Sequence, residues 1–153
     1  MARKKQSGTE QLKELLAVLK THPPGDLRPK LHGFAYRFTL YLPLLSEGNL
    51  VFSEQQRDLL TDLFHARFEG YSASTIEGSP PWYGSWLPPG GQRPVIDRHQ
   101  LFIVYTPQVE EAKTFFRYLK SILELKEVAA QDVILVEHTV VWLMEGGLLP
   151  TEP

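Results

Sequence analysis

The stretch Phe34-Ala-Tyr-Arg-Phe-Thr-Leu-Tyr-Leu42 alternates with a period of two. Phe34, Tyr36, Phe38, Leu40 and Leu42 share one parity, and Ala35, Arg37, Thr39 and Tyr41 the other. Successive strand side chains point to opposite faces, so the pattern predicts a strand with one apolar and one mixed face. The residues after Leu42 decide how that strand is used. A turn-rich stretch from Pro43 to Asn49 leads to Ser53-Glu-Gln-Gln56, a capping box in which Ser53 and Gln56 satisfy each other's free amides. Leu59, Leu60, Leu63, Phe64 and Phe68 then recur at helical spacing, and Gly70 stands where a left-handed C-terminal cap is expected.

Beyond this helix, Tyr71 to Ile76 is short, polar and rich in strand formers, which predicts a second strand at a sheet edge. Ile96 to Tyr105 predicts a third. Thr106-Pro107 reads as a cap followed by proline at the first helical position, with Glu110 and Glu111 complementing the first turn. Val109, Ala112, Phe115, Phe116, Leu119, Ile122 and Leu123 make a stripe over four turns. Gln131 to Met144 predicts a last strand, β-branched and apolar on both faces. Strand, helix, strand, strand, helix, strand with right-handed crossovers is the α+β, ferredoxin-like split βαβ arrangement: a four-stranded antiparallel sheet with two helices on one face. Its strand order sets the first strand between the third and fourth, with the second at the far edge.

Residues 1–33 lie ahead of this domain. They comprise a basic tail, a short amphipathic helix capped by Thr9 with Leu12, Leu15, Leu16 and Leu19 on one face, and a linker over 21–33 that opens on Pro23-Pro24-Gly25. The domain spans 34–145, and 146–153 is a loose tail. The last strand has Val133 and Leu135 on one side and Ile134, Val136, Val140 and Trp142 on the other, so both sides are expected to be covered. The N-terminal leucine helix, a second copy of the chain, or both can supply that cover. Homodimerisation through the sheet face is the expectation.

From Tyr36 to Trp142 the chain resembles a loose group of small bacterial proteins with the same strand and helix order. The matching points are the aromatic-rich first strand, Phe68-x-Gly70, Gly84-x-Trp86, the strand leading into Thr106-Pro107, and Gln131-x-Val133. The resemblance implies a fold. It carries neither an activity nor a catalytic residue.

The 153 residues hold no cysteine, which excludes disulfide scaffolds, thiolate metal sites and cysteine nucleophiles and is compatible with the cytoplasm. No run of apolar residues approaches the roughly 20 needed to span a membrane. Residues 1–33 carry a net charge of +4 and residues 34–153 a net of −6, so the body is a poor surface for nucleic acid. No Gly-rich loop ending in Lys-Ser/Thr, no His-Glu-x-x-His and no Gly-x-Ser-x-Gly occurs. No cofactor is called for.

Three sets of residues compete for function. Asp97 and His99, with Glu137 and His138, are plausible ligands for a divalent metal in a hydrolase or nuclease-like enzyme; the structural alternative pairs Glu137 with Arg37 across strands. Arg37, Thr39, Tyr41 and Glu137 form a polar patch on an apolar face, suited to a small anion or to a buried ion pair. The segment 77–95 holds five prolines and four glycines, which excludes regular structure, yet it also carries Trp82, Tyr83 and Trp86. Those aromatics suit a platform for a partner or ligand, or fold back on the sheet edge. The arm Arg3-Lys4-Lys5 reads as a solvated tail, and His22, His32 and His65 are isolated. The leading expectation is a noncatalytic binding or assembly domain, homodimeric through the sheet face, whose aromatic segment over 77–95 contacts a partner or ligand.

Overall fold

A computed structural model of the chain describes residues 8–29, 33–46, 49–74, 82–86, 90–91, 93–125, 128 and 134–144. The described elements are α1 (Gly8–Leu19), β1 (Gly33–Ser46), β2 (Asn49–Leu50), α2 (Glu54–Phe68), β3 (Ser72–Ala73), β4 (Trp82–Trp86), β5 (Val95–Thr106), α3 (Val109–Leu123) and β6 (Leu135–Leu143).

β1 is the centre of an antiparallel sheet. One side pairs with β5, from Tyr36↔Thr106 to Ser46↔Asp97, and the other with β6, from Gly33↔Leu143 to Tyr41↔Leu135. β3 lies beyond β5, joined at Ser72↔Ile103 and Ala73↔Phe102. The order β6-β1-β5-β3 therefore sets the first long strand between the third and the last, as the sequence predicts. The class is α+β, with a helix ahead of the sheet.

Residues directly opposite one another share a face, so Phe38, Leu40 and Leu42 stand with Val104 and Phe102 on one side. α2 and α3 cover that side. Phe116 stacks on Phe38 at 4.9 Å, and Phe64 meets Phe102 at 5.6 Å. Leu60, Leu63, Phe64, Phe68, Phe115, Leu119 and Leu123 are fully buried around them. Burial of such side chains stabilises by roughly 1.5–3 kcal/mol each.

α1 packs against both α2 and α3. Leu12, Leu16 and Leu19 are its buried stripe, and Arg67 of α2 fastens the end of the helix, donating to the carbonyls of Leu19 at 2.7 Å and Pro23 at 2.5 Å. Carbonyls at a helix C-terminus lack intrahelical donors, and Arg67 supplies them. Burial holds the Arg67 pKa below its ordinary value. Leu27, in the predicted linker, is buried in the same core.

Several local expectations are corrected. The residue with positive φ at the end of α2 is Glu69 (φ 65°), one position before Gly70, and its amide bonds back to the His65 carbonyl. α3 starts at Val109, not Pro107: Thr106 ends β5 and its hydroxyl accepts the Gln108 amide at 3.2 Å instead of capping the helix. β1 runs past Pro43 with a register shift there, and closes a small hairpin with β2 through Leu45↔Leu50. Such a shift is how a proline is accommodated within a sheet.

Two corrections bear on function. The segment 77–95 is not devoid of regular structure, because Trp82–Trp86 forms β4 along β5. A run of strand-forming aromatics needs only a free edge to pair with, and the start of β5 offers one. The last strand, in turn, is not covered on both sides. Leu135, Val140 and Trp142 are each about 60 % exposed, since α3 reaches β6 only near its start, where Lys120 donates to the Ile134 carbonyl at 2.6 Å.

Candidate functional site

Because α1 lies on the other helices, no described helix covers the second face of the sheet. That face is built from alternate residues of three long strands. β1 contributes Ala35, Arg37, Thr39 and Tyr41; β5 contributes His99, Leu101, Ile103 and Tyr105; β6 contributes Leu135, Glu137, Thr139 and Val141. Arg37 stands between Tyr105 and Thr139, and Thr39 between Ile103 and Glu137.

A polar cluster forms at its centre. The Tyr41 hydroxyl donates to the Glu137 carboxylate across the β1–β6 ladder. That hydrogen bond, reinforced by partial burial, pushes the phenol above its ordinary pKa, because ionisation would set two anions together. On the β5 side the Tyr41 ring meets His99 edge-on at 6.4 Å. The pairing of Arg37 with Glu137 is not made: the ladder puts Thr139 opposite Arg37, and the ion pairs among the described residues lie elsewhere. Arg37, Thr39, Glu137, His138 and Thr139 line a small cleft of about 170 Å³. A half-buried guanidinium beside two threonine hydroxyls suits the recognition of a carboxylate or phosphate group.

The proposed metal ligands are not brought together. Asp97 and His99 share a parity on β5, but β1 lies between β5 and β6, with His99 opposite Pro43 and Asp97 opposite Ser46. Glu137 and His138, being consecutive, fall on opposite faces, and the His138 ring stacks on Phe38 at 5.2 Å on the helical side. Among the described residues no three His, Cys, Asp or Glu are grouped to hold a metal.

β4 joins the same sheet. Its register sets Trp82 opposite His99, Gly84 opposite Asp97 and Trp86 opposite Val95. The backbone of Trp82–Trp86 thus lies beside the start of β5, on the side of β5 away from β1.

A feature without a sequence signal is a groove of about 460 Å³ between α1 and α3, lined mainly by apolar residues including Leu15, Val18, His22, Pro23, Tyr118 and Ile122. Val18 and Tyr118 lie off the buried stripes, and only the docking of α1 brings them together. The basic arm Arg3-Lys4-Lys5, His32, the remainder of 77–95 apart from 82–86, 90–91 and 93–95, residues 131–133 and the tail from 145 onward lie outside the described residues. No described helix is long and apolar enough to cross a membrane. Comparison with protein-family models and with the sequences of curated proteins finds no match.

Proposed function

We propose that this chain is a noncatalytic binding and assembly domain that presents its sheet, not its helices, to its partners. The observation that supports the reading is the docking of α1 onto α2 and α3, which leaves the opposite face of the sheet clear of described helices. That surface combines Arg37, which has no ion-pair partner among the described residues, with the Tyr41–Glu137 pair, and the aromatic strand β4 extends the same sheet beyond β5. Aromatic and arginine side chains supply most of the energy at protein contacts, so the combination fits a protein partner bearing an acidic group. Association of the chain with a second copy through the sheet belongs to the same reading, because β6 carries large apolar side chains that one copy leaves exposed. A metal-dependent hydrolase draws no support from the arrangement of Asp97, His99, Glu137 and His138.

Light scattering of the full chain over a range of concentrations tests assembly: a dimer mass is expected, and a monomer at every concentration overturns that half of the reading. The Trp82→Ala, Trp86→Ala double variant tests partner contact. It is expected to keep its circular dichroism spectrum and melting temperature while losing capture of the protein partner that the wild-type chain retains. Unfolding of the variant would mean that the tryptophans serve the fold.

A further inference from the structure

β6 is an edge strand of nine residues, hydrogen-bonded among the described residues to β1 alone. Proteins blunt long edges with lysine, proline or bulges, since the free N–H and C=O groups template pairing with another chain. Leu135-Val-Glu-His-Thr-Val-Val-Trp-Leu143 has neither lysine nor proline, and its ladder with β1 runs without a register shift. Its exposure is uneven. On the helical side the start of the strand is covered, with Ile134 fully buried and Val136 packed on the core, whereas Val140 and Trp142 stand 59 % and 61 % exposed.

We infer that two copies of the chain pair β6 with β6 in antiparallel register about a two-fold axis through Thr139, joining their sheets into one. This rests on the assembly reading above and specifies its interface. An axis through Thr139 uses all nine residues and pairs Leu135 with Leu143, Val136 with Trp142, Glu137 with Val141 and His138 with Val140. The covered half of each strand then lies beside the bare half of the other. The end of α3, clasped to Ile134 through Lys120 and Glu124, comes next to the second copy's Trp142. Like charges stay apart, for the two Glu137 positions are displaced by four residues, about 13 Å along the strand.

The four large apolar side chains concerned, Leu135, Val140, Trp142 and Leu143, offer on the order of 300 Å² per copy; added to a nine-residue backbone edge, this approaches the roughly 800 Å² per partner, a little over half of it nonpolar, of a standard interface. Pairing at the edge also keeps the cleft at Arg37 open to water. A face-to-face dimer would take the charged Arg37 and Glu137 of both copies out of water, which is costly.

The absence of cysteine makes the register directly readable. Directly opposite residues have Cβ atoms about 4.5–5.5 Å apart. In full-length Thr139→Cys, an exposed position, a short bis-maleimide is expected to convert most of the protein to a covalent dimer; in Val141→Cys, whose own copies stand about 13 Å apart, it is expected to link little. Linking of Val141→Cys in preference to Thr139→Cys would overturn the register. A dimer mass by light scattering with neither variant linked would overturn the β6 interface while leaving assembly through another surface intact. A monomer at every concentration would overturn both.

Discussion

The Tyr41 hydroxyl donates to Glu137 across the β1–β6 ladder, while Arg37, four positions back along β1 and opposite Thr139, has no ion-pair partner among the described residues. An anion-seeking group is thereby held on the same face as a carboxylate that is already engaged. Both Arg37 and Glu137 line the same small cleft.

Tyr41 therefore titrates late. Its folded pKa is raised above the ordinary value of 10.0, chiefly by the hydrogen bond to Glu137, so the bond contributes stability that is fully present below about pH 10 and is lost as pH rises through the folded pKa. Ultraviolet difference titration is expected to show a tyrosine that ionises above the ordinary value and disappears in Tyr41→Phe. In Glu137→Gln the same phenol should move back down. A Tyr41→Phe variant with an unchanged alkaline titration would show that the bond is not held in solution.

Arg67 fastens the N-terminal helix. It donates to two carbonyls at and beyond the end of α1 and lies 5.5 Å over the Phe115 ring. Truncating it leaves buried acceptors unsatisfied at about 1–3 kcal/mol each and removes packing besides. Arg67→Ala is expected to lower unfolding free energy by about 3 kcal/mol in urea, and hydrogen exchange should accelerate first in α1. Loss of global stability with α1 protection unchanged would contradict the fastening role.

How far the sequence foretells this arrangement depends on the distance over which each signal acts. The capping box of Ser53 and Gln56 is read correctly because both of its bonds, 3.2 and 3.0 Å, close within four residues. The stripes of α2 and α3 and the parity of Phe38 and Arg37 are local patterns too, and with the crossover rule they yield the strand order. Missed features depend on remote contacts. Nothing near Leu12 tells whether its stripe meets the sheet or the other helices; the donor that decides it, Arg67, is far along the chain. β4 is hidden among prolines because its only qualification is the open edge of β5. The candidate face was half legible: Arg37, Tyr41 and Glu137 are placed together by parity, whereas the pairing of Trp82–Trp86 with β5 depends on a contact between strands that no local pattern announces.

The link between α3 and β6 is acid-sensitive. Burial acts to raise the Glu124 carboxyl, but hydrogen bonds from Lys120 and from the Ile134 amide, at 2.9 Å, outweigh it and hold its pKa below the ordinary value. A depressed carboxyl contributes stability above its unfolded pKa and loses it as pH falls through the folded one. Wild-type stability is expected to decline below about pH 4.5 more steeply than that of Glu124→Gln. Equal slopes in denaturant titrations over that range would remove Glu124 from the account.

Phe64 is the ring that joins the two covering helices to the sheet, with Phe68, Tyr71, Phe102 and Phe116 all within 6.4 Å of its centroid. Phe64→Leu retains most of the volume and is expected to cost about 1 kcal/mol, whereas Phe64→Ala opens a cavity and is expected to cost about 3–5 kcal/mol. Equal losses for the two, measured by urea unfolding, would mean that the site collapses around either replacement.

Glu69 sits at φ 65° and ψ −32°, outside the regions open to residues with a Cβ, in the position where a helix normally ends on glycine. Its side chain is engaged at 3.2 Å with Arg28, itself paired at 2.9 Å with Asp26 in an exposed cluster that holds the Asp26 carboxyl down to about 2. Exposed pairs of this kind contribute little, while a left-handed backbone costs an ordinary residue roughly 1–2 kcal/mol. Glycine at 69 removes the strain but adds freedom to the unfolded chain, which offsets part of the gain. Glu69→Gly is therefore expected to be stabilising, by about 0.5–1 kcal/mol, and Glu69→Ala, which keeps the strain and loses the ion pair, to be neutral or slightly destabilising. The two variants differ only by a methyl group at an exposed site, so the sign of the difference between their urea midpoints isolates the backbone: if alanine proves the more stable, the end of α2 is not strained at Glu69.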